Sequence, residues 1–258
     1  MKEKIYTIPV TDAFNTDCEC PLCILEKKLE DDAVEYTLGP SMMEPDSRIE
    51  SNRKGFCRKH FNLLYKQKNR LSLALIIDTH MQEMNNALSA SFSKKRDTLK
   101  QEAQTGRTKT LFHNFLNKSA ESTDIVNQLL NHMNDLEKQC VICEKMAHTM
   151  ERYIDVIFYL WEKEESFKET FNNCKGFCVH HFQALLEGAK KYLGQKHLPA
   201  FLLQLLTLQV DNLNRVQEEV NWFTKKFDYR NQDAPWGNSK DAVPRSIEKI
   251  VGYMRTEE

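Results

Sequence analysis

At 258 residues the chain is long enough to bury a substantial core in one or two domains. With 36 basic against 37 acidic side chains it carries no overall field to draw in a phosphate backbone, so no nucleic-acid partner is expected. Hydrophobic residues at 41%, charged residues at 28% and only 8 glycines and 7 prolines fit a globular chain built of long elements, and leave no room for a low-complexity one.

The first residues, MKEKIYTIPVTDAFN, lack the apolar run of a secretory signal, and no stretch reaches the roughly 18 apolar residues that a membrane-spanning helix needs. A cytoplasmic protein with no membrane partner is expected. In that reducing setting the 8 cysteines point to metal or redox chemistry, not to a disulfide framework.

A first Cys-x-x-Cys, CPLC at 20–23, leads into ILEKKLEDDAVEYTL, a helical stretch that Gly39 and Pro40 stop. GFCRKHF follows at 55–61. A helix of about 17 residues travels about 25 Å, and a segment of similar length must bring the chain back, so an α-hairpin is expected between Cys23 and Cys57. A further helix is expected from His60 to about Leu88, although its periodicity falters between Tyr65 and Leu71. KKRDTLKQEAQTGRTK, residues 94–109, carries six basic and two acidic residues and reads as a solvated helix face or linker. In ESTDIVNQLLNHMNDLEKQ, Ile125, Leu129, Met133 and Leu136 recur at helical steps.

The pattern then repeats. CVIC at 140–143 matches CPLC, and GFCVHHF at 176–182 matches GFCRKHF. The interval from the second cysteine to the third is 34 residues in the first copy and 35 in the second. Between these motifs Met146, Met150, Tyr153, Ile154, Ile157, Leu160 and Trp161 form one apolar helix face, read as core. No Pro or Gly interrupts the stretch, so its turn is expected near Trp161 to Glu165. A helix then stops at Gly194 and another begins at about Pro199. The tail FDYRNQDAPWGNSKDAVPRSIEKIVGYMR has a Pro-Trp-Gly turn and a short helix with Ser239 or Asp241 as N-cap, and nothing in the first half matches it. No alternating run is long enough for a sheet. The expected fold is all-α, two related helical-hairpin halves over 1–118 and 119–258, each clamped by a Cys3His metal site.

A Cys-x-x-Cys supplies two thiolates on one tight turn and a Cys-x-x-His supplies the other two ligands that tetrahedral zinc prefers. Taken copy by copy, Cys20, Cys23, Cys57 and His60 form one set, and Cys140, Cys143, Cys178 and His181 the other. All eight ligands are then used, leaving no open position for water, so two structural zinc ions per chain are expected. Gly55 and Gly176 precede the knuckles where a positive φ would aim backbone N–H groups at a thiolate, or simply start a helix. Phe56, Phe61, Phe177 and Phe182 read as packing around the sites. His181, not His180, matches the spacing of His60. Cys18 and Cys174 lie outside both sets, as bystanders or as exchangeable or oxidisable thiols. Ile24 and Glu144, the residues after each Cys-x-x-Cys, exclude haem attachment, which needs His there. A thioredoxin-like βαβ setting is absent, and a Cys3His iron–sulfur cluster is less usual than zinc.

CPLC, GFCRKHF and the tail FDYRNQDAPWGNSKDAVPRSIEKIVG together resemble an uncharacterised bacterial family, a domain of unknown function found mostly in anaerobic Gram-positive bacteria. The resemblance spans nearly the whole chain and implies no activity, cofactor or partner. The second copy departs from it by lacking the Pro after Cys140.

Three functions are compatible with these residues. The first is a zinc-stabilised interaction or regulatory protein that presents helix faces or the tail to a protein partner of unknown identity. The second is an enzyme using Asp233, Trp236, Asn238, Lys240, Asp241 and Arg245 as a polar cluster, although no nucleophile and base pair is recognisable and ordinary caps and a surface turn also explain those residues. The third is a thiol switch in which oxidation releases zinc. An apolar patch, a polar pocket near the tail, or accessible sulfurs would respectively favour each.

Overall fold

The computed structural model describes residues 5–105 and 121–255, and among these there is no β-strand. Eleven α-helices appear among the described residues: α1 Thr7–Asn15, α2 Pro21–Leu38, α3 Pro45–Lys54, α4 Arg58–Lys66, α5 Arg70–Thr105, α6 Glu121–Lys138, α7 Val141–Lys163, α8 Glu165–Asn173, α9 Val179–Tyr192, α10 Leu198–Lys225 and α11 Ala242–Val251. None is long and apolar enough to cross a membrane. Two compact units are present, one of Met1–Asp31 with Met146–Glu258 and the other of Asp32–Lys145. The boundary falls inside α2 and just after the start of α7.

Local chemistry sets the breaks. Gly39 ends α2 and Pro40 starts a 3-10 turn, Pro40–Met43. In the second copy the turn is one residue, Glu164, between α7 and α8. The faltering periodicity after Tyr65 is a real break between α4 and α5, and Asn69 holds it from both sides. Its Oδ1 accepts from Ser72 N at 3.2 Å, capping α5, while its Nδ2 donates to the Leu38 carbonyl at 2.9 Å. α5 extends well past Leu88 and carries residues 94–105 of the basic segment; residues 106–109 lie outside the described residues. Lys94, Arg96 and Lys100 are exposed on it, as a solvated face requires.

The core of the first unit is aromatic. Phe14 of α1, Phe171 of α8 and Phe201 of α10 meet Phe177 of the loop before α9, with Phe14 to Phe171 centroids at 5.6 Å and Phe171 to Phe177 at 5.5 Å. Tyr153, Ile157, Leu160 and Trp161 of the α7 stripe lie in this core. In the second unit α3 and α5 are tied by Arg48, which donates to Thr79 Oγ1 at 2.8 Å and to the Leu75 carbonyl at 3.2 Å. The α6 stripe Ile125, Leu129, Met133 and Leu136 is its half-buried side, and α6 packs on α5.

Candidate metal centres

All four motif cysteines that open a turn sit at a helix start. Cys57 and Cys178 are the N-caps of α4 and α9, with extended backbone at φ −69°, ψ 165° and φ −70°, ψ 161°. Cys20 and Cys140 immediately precede α2 and α7. Sulfur there faces unpaired N–H groups and the positive end of the helix dipole, which favours thiolate. His181 N lies 3.5 Å from Cys178 Sγ, and Cys143 N lies 3.5 Å from Cys140 Sγ. The next ligand follows three residues later and so projects from the same face.

The eight residues form two clusters, but the partners are exchanged between copies. Cys20 and Cys23 meet Cys178 and His181, and Cys57 and His60 meet Cys140 and Cys143. The expectation that each hairpin closes its own site is therefore corrected: each Cys-x-x-Cys faces the other copy's Cys-x-x-His. Each cluster lies wholly inside one compact unit. The hairpin argument failed because near-equal intervals bring the ends together without saying whose ends meet.

In the first cluster His181 Nδ1 stands 3.5, 3.4 and 3.2 Å from the sulfurs of Cys20, Cys23 and Cys178, and Cys23 Sγ is 3.7 Å from Cys178 Sγ. In the second, His60 Nδ1 stands 3.2, 3.1 and 3.3 Å from Cys57, Cys140 and Cys143, with 3.8 Å between Cys57 Sγ and Cys143 Sγ. A zinc tetrahedron with bonds of about 2.3 Å to sulfur and about 2.0 Å to nitrogen has edges of about 3.8 Å for sulfur to sulfur and about 3.5 Å for sulfur to nitrogen. The sulfur edges agree and the nitrogen edges are slightly tight, so the donor sets fit a tetrahedral ion.

Burial would lower His181, but Cys178 and Cys20 beside it push it up to about 10. Burial would raise Cys140, yet His60 and the backbone amides hold it down to about 6. A metal must displace whatever protons the clusters hold, so affinity rises with pH.

The knuckle glycines adopt the expected backbone, Gly55 at φ +62° and Gly176 at φ +79°. Each knuckle is held by a side chain from the following long helix. His80 Nδ1 lies 2.6 Å from the Asn52 carbonyl, and its ring packs against Gly55. Gln209 grips Phe177 twice, accepting from its N–H at 3.0 Å and donating to its carbonyl at 2.9 Å. Neither side chain was singled out from sequence. Gln209 had a signal, a polar residue among Phe201, Leu205 and Leu208 on the buried face of α10.

The two clusters differ in cover. All four ligands of the first are buried, whereas in the second Cys143 is exposed and Cys57 half-buried. The difference is the tail. α11 ends at Gly252, φ +88°, so close to the first cluster that a Cβ there would stand 3.8 Å from Cys23 Sγ and 3.9 Å from Cys178 Sγ. Lys249, 2% exposed, donates to the carbonyls of Glu19 and Lys175 and pairs with the Glu19 carboxylate at 3.1 Å. Arg215 and Arg245 complete the grip on Glu19, at 2.6 and 3.2 Å.

This network places the tail residues. Arg245 is bonded to Asp241, Glu19, Glu219 and the Asn238 carbonyl. Lys226 binds the carbonyls of Asn231, Gln232 and Ala234, and Trp222 Nε1 donates to Pro235 O at 3.0 Å. Trp236 packs on Phe223, while Asp233 and Lys240 are exposed. Asp241 sits at the N-cap of α11 without a capping side-chain bond. The polar groups of the tail thus serve mainly each other.

On the outer side of His181, Nε2 has no hydrogen-bond partner, and the nearest anion is Glu26 Oε2 at 3.7 Å. A carboxylate facing the outer nitrogen of a metal-binding imidazole fixes the tautomer that ligation requires. His180 is exposed beside it, with ring centroids 5.2 Å apart, and contributes to neither Cys3His cluster. Cys18 and Cys174 are half-buried outside both clusters, and burial pushes their thiols up, to about 11 and about 12. They are therefore poor thiolates at neutral pH.

No curated protein and no solved structure matches this chain. The chain belongs to the family of unknown function DUF6062, whose model matches residues 1–257.

Proposed function

We propose that the protein is a zinc-stabilised, all-helical interaction or regulatory protein of the reducing cytoplasm, built from duplicated halves over 1–118 and 119–258 and holding two structural zinc ions. The observation that carries the zinc reading is the pair of donor sets, each of three sulfurs and one imidazole nitrogen, with edges of 3.1–3.8 Å. Four protein ligands fill a tetrahedron, so neither ion keeps a position for substrate or water. All eight cysteines are free thiols, in keeping with a reducing compartment.

An apolar surface supports the interaction role. Leu203, Leu206 and Val210 on α10 are 47–72% exposed, and a cleft of about 380 Å³ lined by Leu213, Val216, Val220 and Ile250 runs between α10 and α11. The enzyme alternative has less support. The cleft near Trp236, of about 430 Å³, is lined by Arg215 and Glu219, whose charges are already paired. A thiol switch is favoured by the exposed Cys143, and peroxide-driven zinc release would reveal it.

Elemental mass spectrometry of the purified protein, with thermal unfolding before and after strong chelation, tests the main reading. About two zinc per chain and a large loss of stability on stripping are expected. Metal-free protein that stays folded would overturn it.

A further inference from the structure

The two clusters share a donor set but not a setting. Around the first, burial is complete: Cys20, Cys23, Cys178 and His181 are each no more than 6% exposed. Gly252 closes over two of its sulfurs, and Lys249 anchors α11 to the backbone on either side through Glu19 and Lys175. An incoming ligand reaches that centre only after its cover opens. At the second, Cys143 is exposed and Cys57 half-buried, and the tail that seals the first has no counterpart in the first half of the sequence.

We infer that the second centre, Cys57, His60, Cys140 and Cys143, is an exchangeable metal site that passes its ion to an incoming small thiol, while the first is fixed. The inference rests on the reading that both clusters hold zinc. Cys143 is the point of entry, because it is the one exposed residue of the four. In the step, the metal to Cys143 Sγ bond breaks as a bond to the incoming sulfur forms. The proton shed by the incoming thiol goes to Cys143, and no electron changes hands. Repetition at Cys57 and then at the buried Cys140 moves each remaining metal–sulfur bond to an incoming sulfur, one proton passing from the incoming thiol to each released cysteine, and water takes the place of the buried His60 Nδ1 as the ion leaves.

The test uses the zinc-loaded full-length chain under anaerobic, reducing conditions. A small dithiol chelator is the competing ligand, a chromophoric indicator reports released zinc, and timed alkylation with peptide mass spectrometry reports which cysteines are freed. Two phases are expected, the first at least about tenfold faster, the ratio that a local opening cost of about 1.4 kcal/mol at the first centre produces. Label should reach Cys57, Cys140 and Cys143 in the fast phase while Cys20, Cys23 and Cys178 stay protected. Fewer than two zinc ions before chelator is added would sink the metal reading itself. Two ions leaving together, with label spread over all six cysteines, or label appearing first on Cys20, Cys23 and Cys178, would leave that reading intact and overturn the exchange site.

Discussion

The sulfur of Cys23 lies 3.7 Å from that of Cys178, a residue 155 positions further along the chain. Cys57, which follows Cys23 by only 34 positions, belongs to the other cluster. Double variants therefore separate the crossed arrangement from a copy-by-copy one. Cys23→Ser with Cys178→Ser should cost about one metal equivalent, because both ligands serve one ion, and Cys23→Ser with Cys57→Ser should cost about two. Metal content by elemental analysis decides, and the opposite ranking would mean that each hairpin closes on itself.

Gly252 occupies a backbone region, φ +88° and ψ −173°, that is essentially restricted to glycine. A Cβ there would meet the two sulfurs only at ordinary contact distance. Gly252→Ala should thus lower stability by about 1–3 kcal/mol through strain while leaving two metals bound. Gly55→Ala should be worse, since its Cβ would fall 2.5 Å from the His80 ring as well as sitting at positive φ. Gly194→Ala, with open space around it, serves as the control. Denaturant midpoints rank the three.

Burial alone would push the Glu19 carboxyl up, but Arg215 and Lys249 outweigh it and hold it below its ordinary value of 4.5. A depressed folded pKa contributes stability that is complete above the ordinary value and is lost as pH falls through the folded one. Glu19→Gln should cost about 3 kcal/mol at neutral pH, by leaving Lys249 and its arginine neighbours short of a counter-charge. The gap between variant and wild type should close as the pH drops below about 4.5. Urea unfolding across that range would show it, and a gap independent of pH would reassign the effect to packing.

Glu26 faces His181 Nε2 at 3.7 Å, and Nε2 has no hydrogen-bond partner. Glu26→Gln should weaken the first centre by about tenfold and leave the second unchanged. Chelator competition on the variant, with the two ions resolved by cysteine labelling, is the measurement. Equal weakening at both centres would point to a general loss of stability.

Much of the fold was legible because its signals are local. The step of three and four residues through Met146, Tyr153, Ile157 and Trp161 needs only the helical repeat to place those side chains on one face, and all four are buried. Gly39 with Pro40, and the lapse after Tyr65, marked breaks that the backbone then made. The eight clustering Cys and His residues were legible for the same reason, since Cys-x-x-Cys and Cys-x-x-His are each one turn long. His181 was separable from His180 by spacing alone. Glu19, Glu26 and Lys249 were not visible, because a charged residue in a loop or on a helix looks alike whether it faces water or a partner more than 150 positions away.

What the sequence determined by itself was the set of helices and the eight motif Cys and His residues. What only the tertiary structure decided was which of those residues cluster together and which cluster is sealed. Intervals of 34 and 35 residues return either motif to either hairpin base with the same chain entropy, so spacing is indifferent to the choice. Packing makes it: Phe14 near Cys20 stacks on Phe171 and meets Phe177 beside Cys178 at a tilt, and that aromatic contact brings the first copy's Cys-x-x-Cys to the second copy's knuckle. The tail then seals that centre through Glu19, Lys249 and Gly252, contacts between residues remote in sequence that no local pattern encodes.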